Sequence, residues 1–371
     1  MEEPEQTISV LKQRLRWLLG RFALLAGSFA FMAIAGEVAL RCCVDLERKR
    51  SAIYDPDLGW RGRPNTEGLY VLKADGVRTP FRYNNLGYRD EDVLPKRNGQ
   101  KRILILGDSF VENLEVEYEH VFHEIMESQL QQEDDRFEAV ALGSQGYSNS
   151  QELLAFRRYH ELIDAEVVLT AFYTGNDFED NERRTFAYLD DQGSLVFPEN
   201  KPSALKLRTE AFKRWIYESS YLVYWLKNTI QAVAHVQMGD PSKSVGESDE
   251  RYQMQITRAL LSKLHQDVTE TGARHAIVIF PSREELAANE LERVDFVQAF
   301  CNEHGVPCLS LASALKADEH YLEHDFHFNL EGHRFVAAKT LEFIRDEFGE
   351  LLFKESGHLA DLSSNDETNG R

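Results

Sequence analysis

The chemically suggestive side chains here are a serine, a histidine, an aspartate and an asparagine, each beside a break in an otherwise regular pattern. Ser109 closes the run Arg102-Ile103-Leu104-Ile105-Leu106-Gly107-Asp108-Ser109-Phe110, and Asp325 and His327 stand in Asp325-Phe326-His327-Phe328-Asn329. Asn176 lies in Gly175-Asn176-Asp177, and a further turn reads Gly143-Ser144-Gln145-Gly146. A serine hydroxyl is a poor nucleophile at neutral pH. It reacts where an adjacent base takes its proton and an acceptor holds that base in the right tautomer. Each piece also has an ordinary reading: Asp108 and Ser109 are helix-capping types, Gly146 suits a tight turn and Asn176 an Asx-turn. Their joint occurrence, at spacings that fit one site, favours chemistry.

The elements that must position them follow from hydrophobic patterning. Ile103 to Gly107 carry no charge, as in a parallel strand covered on both faces, and Val121, Phe122, Ile125, Met126 and Leu130 recur at helical spacing beyond it. Ser109 is therefore expected in a strand-to-helix turn at the carboxyl edge of a sheet, where open α/β sheets bind ligands. Alternation continues with strands at 139–142, 167–172, 276–280 and 307–311, and helices at 151–163, 252–271, 291–304 and about 332–348. This pattern predicts a three-layer α/β/α domain on a mostly parallel five-stranded sheet. Residues 178–250 interrupt it with a loop framed by Pro198 and Pro202, an aromatic-rich helical stretch over 204–236 and a linker from 239. A long insertion at the active edge reads as a lid, its aromatics packing against the core.

At 371 residues and 43% hydrophobic composition the chain can hold one large domain with an appendage. A formal net charge of −20 speaks against nucleic acid or an anionic lipid surface as partner. Residues 1–21 form a basic N-terminus with Lys12, Arg14, Arg16 and Arg21, followed by an apolar run over 22–40 that only Glu37 interrupts. That length approaches the about 20 residues that span a bilayer. The basic cluster orients it as an uncleaved signal anchor, with the rest of the chain outside the cytoplasmic membrane. Ala33-Ile34-Ala35 before Gly36 also resembles a signal-peptidase site, while Arg41 directly before Cys42 argues against lipidation. Residues 51–100, rich in Gly, Pro and Asn, read as a small β-rich collar, and the polar stretch 356–371 as a disordered tail. Cys301 and Cys308 read as buried thiols.

In order along the chain, Gly107-Asp108-Ser109-Phe110, Gly143-Ser144-Gln145-Gly146, Gly175-Asn176-Asp177 and Asp325-Phe326-His327-Phe328-Asn329 resemble the sequence blocks of the SGNH (GDSL-type) hydrolases. These are flavodoxin-like α/β/α enzymes that cleave or transfer acyl esters. The resemblance covers about residues 102–345. Asp55-Pro56-Asp57-Leu58-Gly59-Trp60 and Arg63-Pro64-Asn65 are similar to the preamble of the membrane-anchored bacterial branch. The resemblance implies Ser109 as nucleophile, His327 as base and Asp325 as its acid. It places the oxyanion hole on the backbone N–H groups of Ser109 and Gly146 and the side-chain amide of Asn176, with no cofactor. Asp108 reads as a brace of the nucleophile turn. Two departures stand out. The family spaces its pair Asp-x-x-His, whereas Asp325 stands two residues before His327 and His324 fills the three-back slot, so either the loop differs locally or the acid comes from elsewhere. Ala141 stands where many members carry Asn.

Other chemistries fit less well. His324, Asp325 and His327 lack the helical i, i+4 spacing of zinc hydrolases, so no metal is expected. An aspartyl nucleophile at Asp108 lacks the second carboxylate that phosphotransfer needs close behind. His333 reads as structural. The expected function is a serine esterase acting on O-acyl, chiefly O-acetyl, esters of a carbohydrate, glycolipid or small alcohol. The alternatives are an O-acyltransferase working on an envelope polysaccharide through the same acyl-enzyme, and a non-catalytic membrane-anchored binding protein.

Overall fold

A computed structural model describes residues 3–43, 52–183, 185–199, 202–238 and 250–353. The tail at 356–371 and residues 239–249 of the linker lie outside the described residues. The long helix α1 (Glu3–Cys43) comes first, then two antiparallel hairpins, β1 (Ala52–Asp55) with β2 (Gly59–Gly62) and β3 (Thr66–Leu72) with β4 (Val77–Tyr83). Next are β5 (Lys101–Gly107), α2 (Ser109–Glu112), α3 (Phe122–Glu133), β6 (Phe137–Gly143), α4 (Asn149–Ile163), β7 (Val167–Tyr173) and α5 (Asp177–Asn181). The insertion holds a short hairpin, β8 (Tyr188–Leu189) with β9 (Leu195–Val196), and helices α6 (Ala204–Ser219) and α7 (Tyr221–Met238). The chain closes with α8 (Glu250–Glu270), β10 (Arg274–Phe280), α9 (Arg283–Ala288), α10 (Glu292–His304), β11 (Cys308–Ser310) and α11 (Leu330–Leu352).

Five strands form one parallel sheet in the order β11-β10-β7-β5-β6. From β5 the chain crosses to one neighbour, β6, and then returns to pair on the other side through β7. The order reverses there, which opens a crevice beyond the carboxyl ends of β5 and β7. Alternate residues of β5 serve opposite faces: Ile103 and Ile105 join Phe122 and Met126 of α3 and Val336 and Ile344 of α11, while Leu104 and Leu106 join Phe156 of α4 and Leu264 of α8. Helix α10 covers the same side as α8, with Val297 and Phe300 in the cluster of Ile277 and Ile279. A sheet buried on both faces explains the uncharged strand, and the result is a three-layer α/β/α fold.

Ser109 stands at the strand-to-helix turn after β5 and opens the single turn α2, with a loop before α3. The helical stretch 204–236 breaks at Ser220, which is extended (φ −120°, ψ 116°), ends α6 and accepts from Val223 N at 3.2 Å through its Oγ, capping α7.

The described residues form two compact units, one holding α1, α6 and α7 and the other holding the remaining elements. In the smaller unit Glu37, the polar interruption of the apolar run, accepts from Tyr221 N at 3.0 Å, Leu222 N at 2.9 Å and Ser220 Oγ at 2.8 Å. It thereby satisfies orphan donors at the start of α7. Residues Arg16–Cys43 make a helix of 28 residues long and apolar enough to cross a bilayer. The insertion thus divides: Leu189, Leu195 and Phe197 pack with Ile256 and Leu260 of α8 in the larger unit, whereas α6 and α7 belong with α1. Cys301 is buried, Cys308 half-buried, and both are free thiols.

Candidate active site

Ser109 is the first residue of α2, and the geometry around it is set by what lies underneath. A Cβ on Gly143 would stand 2.5 Å from Val111 Cβ and 2.7 Å from Glu112 N, and one on Gly107 would stand 2.4 Å from Val111 Cγ2. Only glycine at these strand ends lets α2 settle onto the sheet edge. Asp108 caps the turn, its Oδ1 accepting from Phe110 N at 2.8 Å, while its Oδ2 lies 3.4 Å from Ser109 Oγ. The Asp108 side chain is fully buried, and burial raises its carboxyl above the ordinary range.

His327 reaches the same point from the loop between β11 and α11. Its Nε2 is 2.8 Å from Ser109 Oγ, and its Nδ1 hydrogen-bonds Asp325 Oδ1. Asp325 Oδ1 also accepts from the backbone N of His327 at 2.9 Å. The spacing of two residues therefore closes an Asx-type turn in which one carboxylate oxygen serves both the backbone and the ring of the same histidine. The loop is held by Leu322 N donating to His327 O at 2.9 Å and by Asn329, which accepts from Gly332 N at 2.9 Å and donates to Tyr321 O at 3.0 Å. Burial alone would depress the His327 ring, but the carboxylates of Glu115, Asp325 and Asp108 outweigh it and hold its pKa above the usual histidine value. Asp325 is half-buried, which works against its charge; the hydrogen bond from His327 prevails and its carboxyl is held low.

Gly146 and Asn176 come from the carboxyl ends of β6 and β7. Gly146 adopts φ +73°, a left-handed conformation that favours glycine, and its carbonyl accepts from Arg183 Nη1. The preceding turn is pinned by Glu112, whose Oε2 accepts from Gln145 N at 2.6 Å and whose Oε1 accepts from Tyr83 OH at 2.6 Å, and by Trp60 Nε1 donating to Gln145 O at 3.1 Å. Asn176 Nδ2 donates to Asp108 Oδ2 at 3.1 Å and to Asp180 Oδ2 at 3.3 Å. The residues named from the sequence thus gather on one sheet edge, Ser109, His327 and Asp325 as a linked chain and Asn176 joined to it through Asp108.

Sequence reasoning missed Glu115. Its side chain is 2% exposed and its Oε1 lies 3.6 Å from His327 Nδ1. Glu115 lies in the loop after α2, only six positions beyond Ser109, and that closeness in sequence is the one signal that pointed to it. Beneath the site lie further carboxyls: burial holds Asp180 up to about 7 and Glu152 up to about 8, and pushes Asp177 well above its usual value. His333 is fully buried and burial keeps it neutral. No cluster of three or more His, Cys, Asp or Glu side chains able to hold a metal occurs among the described residues.

No family model matches the chain, and no curated protein matches it. Solved structures similar to it include a psychrotrophic esterase, EstA, from Pseudoalteromonas sp., at 11% identity over 67% of this chain and 100% of that one with a TM-score of 0.40. Others are a GDSL-like lipase from Bacteroides thetaiotaomicron, at 10% identity over 68% and 92% with a TM-score of 0.38, and a two-domain esterase active on acetylated mannans, at 13% identity over 69% and 52% with a TM-score of 0.40. At such identities the chemistry rests on the side chains themselves.

Proposed function

We propose that this chain is a serine esterase of the SGNH (GDSL-type) class, acting on O-acyl, chiefly O-acetyl, esters of a carbohydrate, glycolipid or small alcohol. The observation that carries this reading is the 2.8 Å contact between Ser109 Oγ and His327 Nε2, with Asp325 on the opposite ring nitrogen. With Nδ1–H donating to Asp325, Nε2 is free to accept the Ser109 proton as Oγ attacks the ester carbonyl. The imidazolium so formed is stabilised by the neighbouring carboxylates, then returns the proton to the leaving alcohol. The tetrahedral oxyanion needs donors fixed in advance. The backbone N–H groups of Ser109 and Gly146 and the Asn176 amide fill that role; Asp108 orients the amide, and the longer bond to Asp180 is the one a substrate oxygen replaces. Water attacking the acyl-enzyme completes hydrolysis.

The helix over Arg16–Cys43 supports anchoring in the cytoplasmic membrane with the larger unit on the extracytoplasmic side. The test is hydrolysis of an aryl acetate by the full chain in detergent, beside Ser109→Ala and His327→Ala variants shown to be folded. Loss of turnover in both, with fluorophosphonate labelling of Ser109 in the parent only, is the expected result. A parent that neither turns over nor labels, with or without an added sugar acceptor, sinks the reading and returns the fold to a binding role. Turnover appearing only when the sugar is supplied identifies transfer instead.

A further inference from the structure

We infer that Glu115 is a second carboxylate partner of His327, a positioning residue that shares the Nδ1 side of the ring with Asp325. The inference rests on the acyl-transfer reading above and adds a residue that reading does not require. Glu115 follows α2, so the nucleophile and this carboxylate ride on one short segment. Its Oε1 stands 3.6 Å from Nδ1, too far for a hydrogen bond, which needs about 3 Å, yet within reach of a small tilt of the ring. Its Oε2 is buried with no hydrogen-bond partner among the described residues. A buried carboxyl oxygen without a partner costs free energy, and an imidazolium on His327 adds positive charge beside that of Arg89.

The surroundings hold Glu115 in place. Arg89 donates from Nη2 to Val116 O at 2.7 Å and from Nη1 to Glu112 O at 3.4 Å, clamping the backbone on both sides of Glu115. The Tyr70 hydroxyl hydrogen-bonds the Glu115 carboxyl from β3. The charged and titratable groups facing the ring are Asp325 from its own loop, Glu115 from the segment after α2 and Asp108 from the end of β5, with neutral His333 of α11 nearby. Arg89 faces Glu115. Burial holds the Glu115 carboxyl above its usual range; attraction by His327 works against that, and repulsion from Asp325 adds to it. Loss of a proton from the His327 imidazolium leaves the neutral ring that acts as base.

Two carboxylates on one ring predict redundancy. Removing the acid of a serine triad costs about 10⁴-fold in kcat where nothing replaces it. Here Asp325→Asn is expected to cost only about 10²-fold, Glu115→Gln about 10-fold, and the pair about 10⁴-fold, more than the product of the singles. The acid limb of the pH profile should lie lower in Glu115→Gln than in the parent, and lower in the double variant than in Asp325→Asn, because each lost carboxylate lowers the ring pKa. A purely structural Glu115 would leave both limbs in place.

The deciding experiment is titration of the His327 ring by ¹⁵N-histidine NMR in the full chain, assigned with His327→Gln, alongside the kinetics and thermal melting of each variant. A midpoint that falls in the isosteric Glu115→Gln protein, with an unchanged melt, supports the inference. A midpoint and a double-variant rate that match those of the parent and of Asp325→Asn overturn it. The ring titration needs no turnover, so an inactive, unlabelled parent would defeat the esterase reading while still deciding whether Glu115 governs His327.

Discussion

Replacing Gly143 by alanine tests whether the seat of α2 sets the reactivity of Ser109. The new Cβ would meet Val111 Cβ at 2.5 Å, Val111 Cγ1 at 2.6 Å and Glu112 N at 2.7 Å. Two of these atoms are backbone or branch-point atoms that no rotamer change removes. Ordinary contact at about 3.4 Å or more requires α2 to lift by roughly 0.8 Å. Ser109 is in the same single turn, so its Oγ leaves the 2.8 Å contact with His327 Nε2 by a similar amount. A misplacement near 1 Å costs about 10²-fold in rate, or about 2.7 kcal/mol of barrier, and the overpacking costs about 1–3 kcal/mol of stability. The assay is the rate of fluorophosphonate labelling and kcat/KM on an aryl acetate, with a thermal melt of the same samples. Labelling and melting both unchanged in Gly143→Ala would refute the argument that the glycine exists to let α2 approach. A lowered melt with unchanged labelling would show that the strain is absorbed away from Ser109.

Four further outcomes follow from particular contacts. Because the base must be neutral and its neighbours raise its pKa, kcat/KM should fall with decreasing pH through a midpoint above the ordinary histidine value of 6.5, measured with a neutral ester; a midpoint below 6.5 contradicts the site's electrostatics. Asn176→Ala should lower kcat about 10²–10³-fold with little change in KM, and an unaltered kcat removes Asn176 from the oxyanion hole. Asp55 is buried, which opposes its charge, but bonds from Arg158 at 2.7 and 2.8 Å prevail and depress its carboxyl. Its contribution is present above the unfolded aspartate value of 3.8 and lost as pH falls below it, so Asp55→Asn should cost about 3 kcal/mol near neutrality, shrinking in acid, by denaturant unfolding of the larger unit. Finally, Glu37→Ala should speed hydrogen exchange at Tyr221 and Leu222 by a factor matching about 1 kcal/mol of lost capping, and equal exchange would mean Glu37 does not cap α7.

Much of the architecture was legible because burial leaves a simple record. A strand covered on both faces has almost no solvent-facing position, so its residues are mostly apolar; β5 and β7 carry that mark most clearly, while the edge strand β11 is half-buried along its length. Helix α4 begins at a capping box on Ser148 and Gln151, so its start also lay near the predicted one. The stretch over 204–236 reads as helical throughout, with no sign of its break, because Ser219 and Ser220 do not interrupt the apolar period. What breaks the helix is a capping hydroxyl and the Glu37 carboxylate, which lies more than 180 positions away in the chain.

The sequence by itself determined the fold class, the strand edge on which Ser109 stands, and which residue types could act there, because local propensity and the period of hydrophobic residues depend on neighbours along the chain. Distance across the sheet edge does not. Only the tertiary structure decided that Asp325, spaced two residues from His327, folds back to serve both its backbone and its ring. It alone brought a second carboxylate, Glu115, to the same nitrogen, and it alone bound Asn176 to Asp108 and Asp180. Electrostatic coupling falls with distance in space and is indifferent to separation in sequence, so the electrostatic environment of His327 belongs to the packing of loops that no local pattern records.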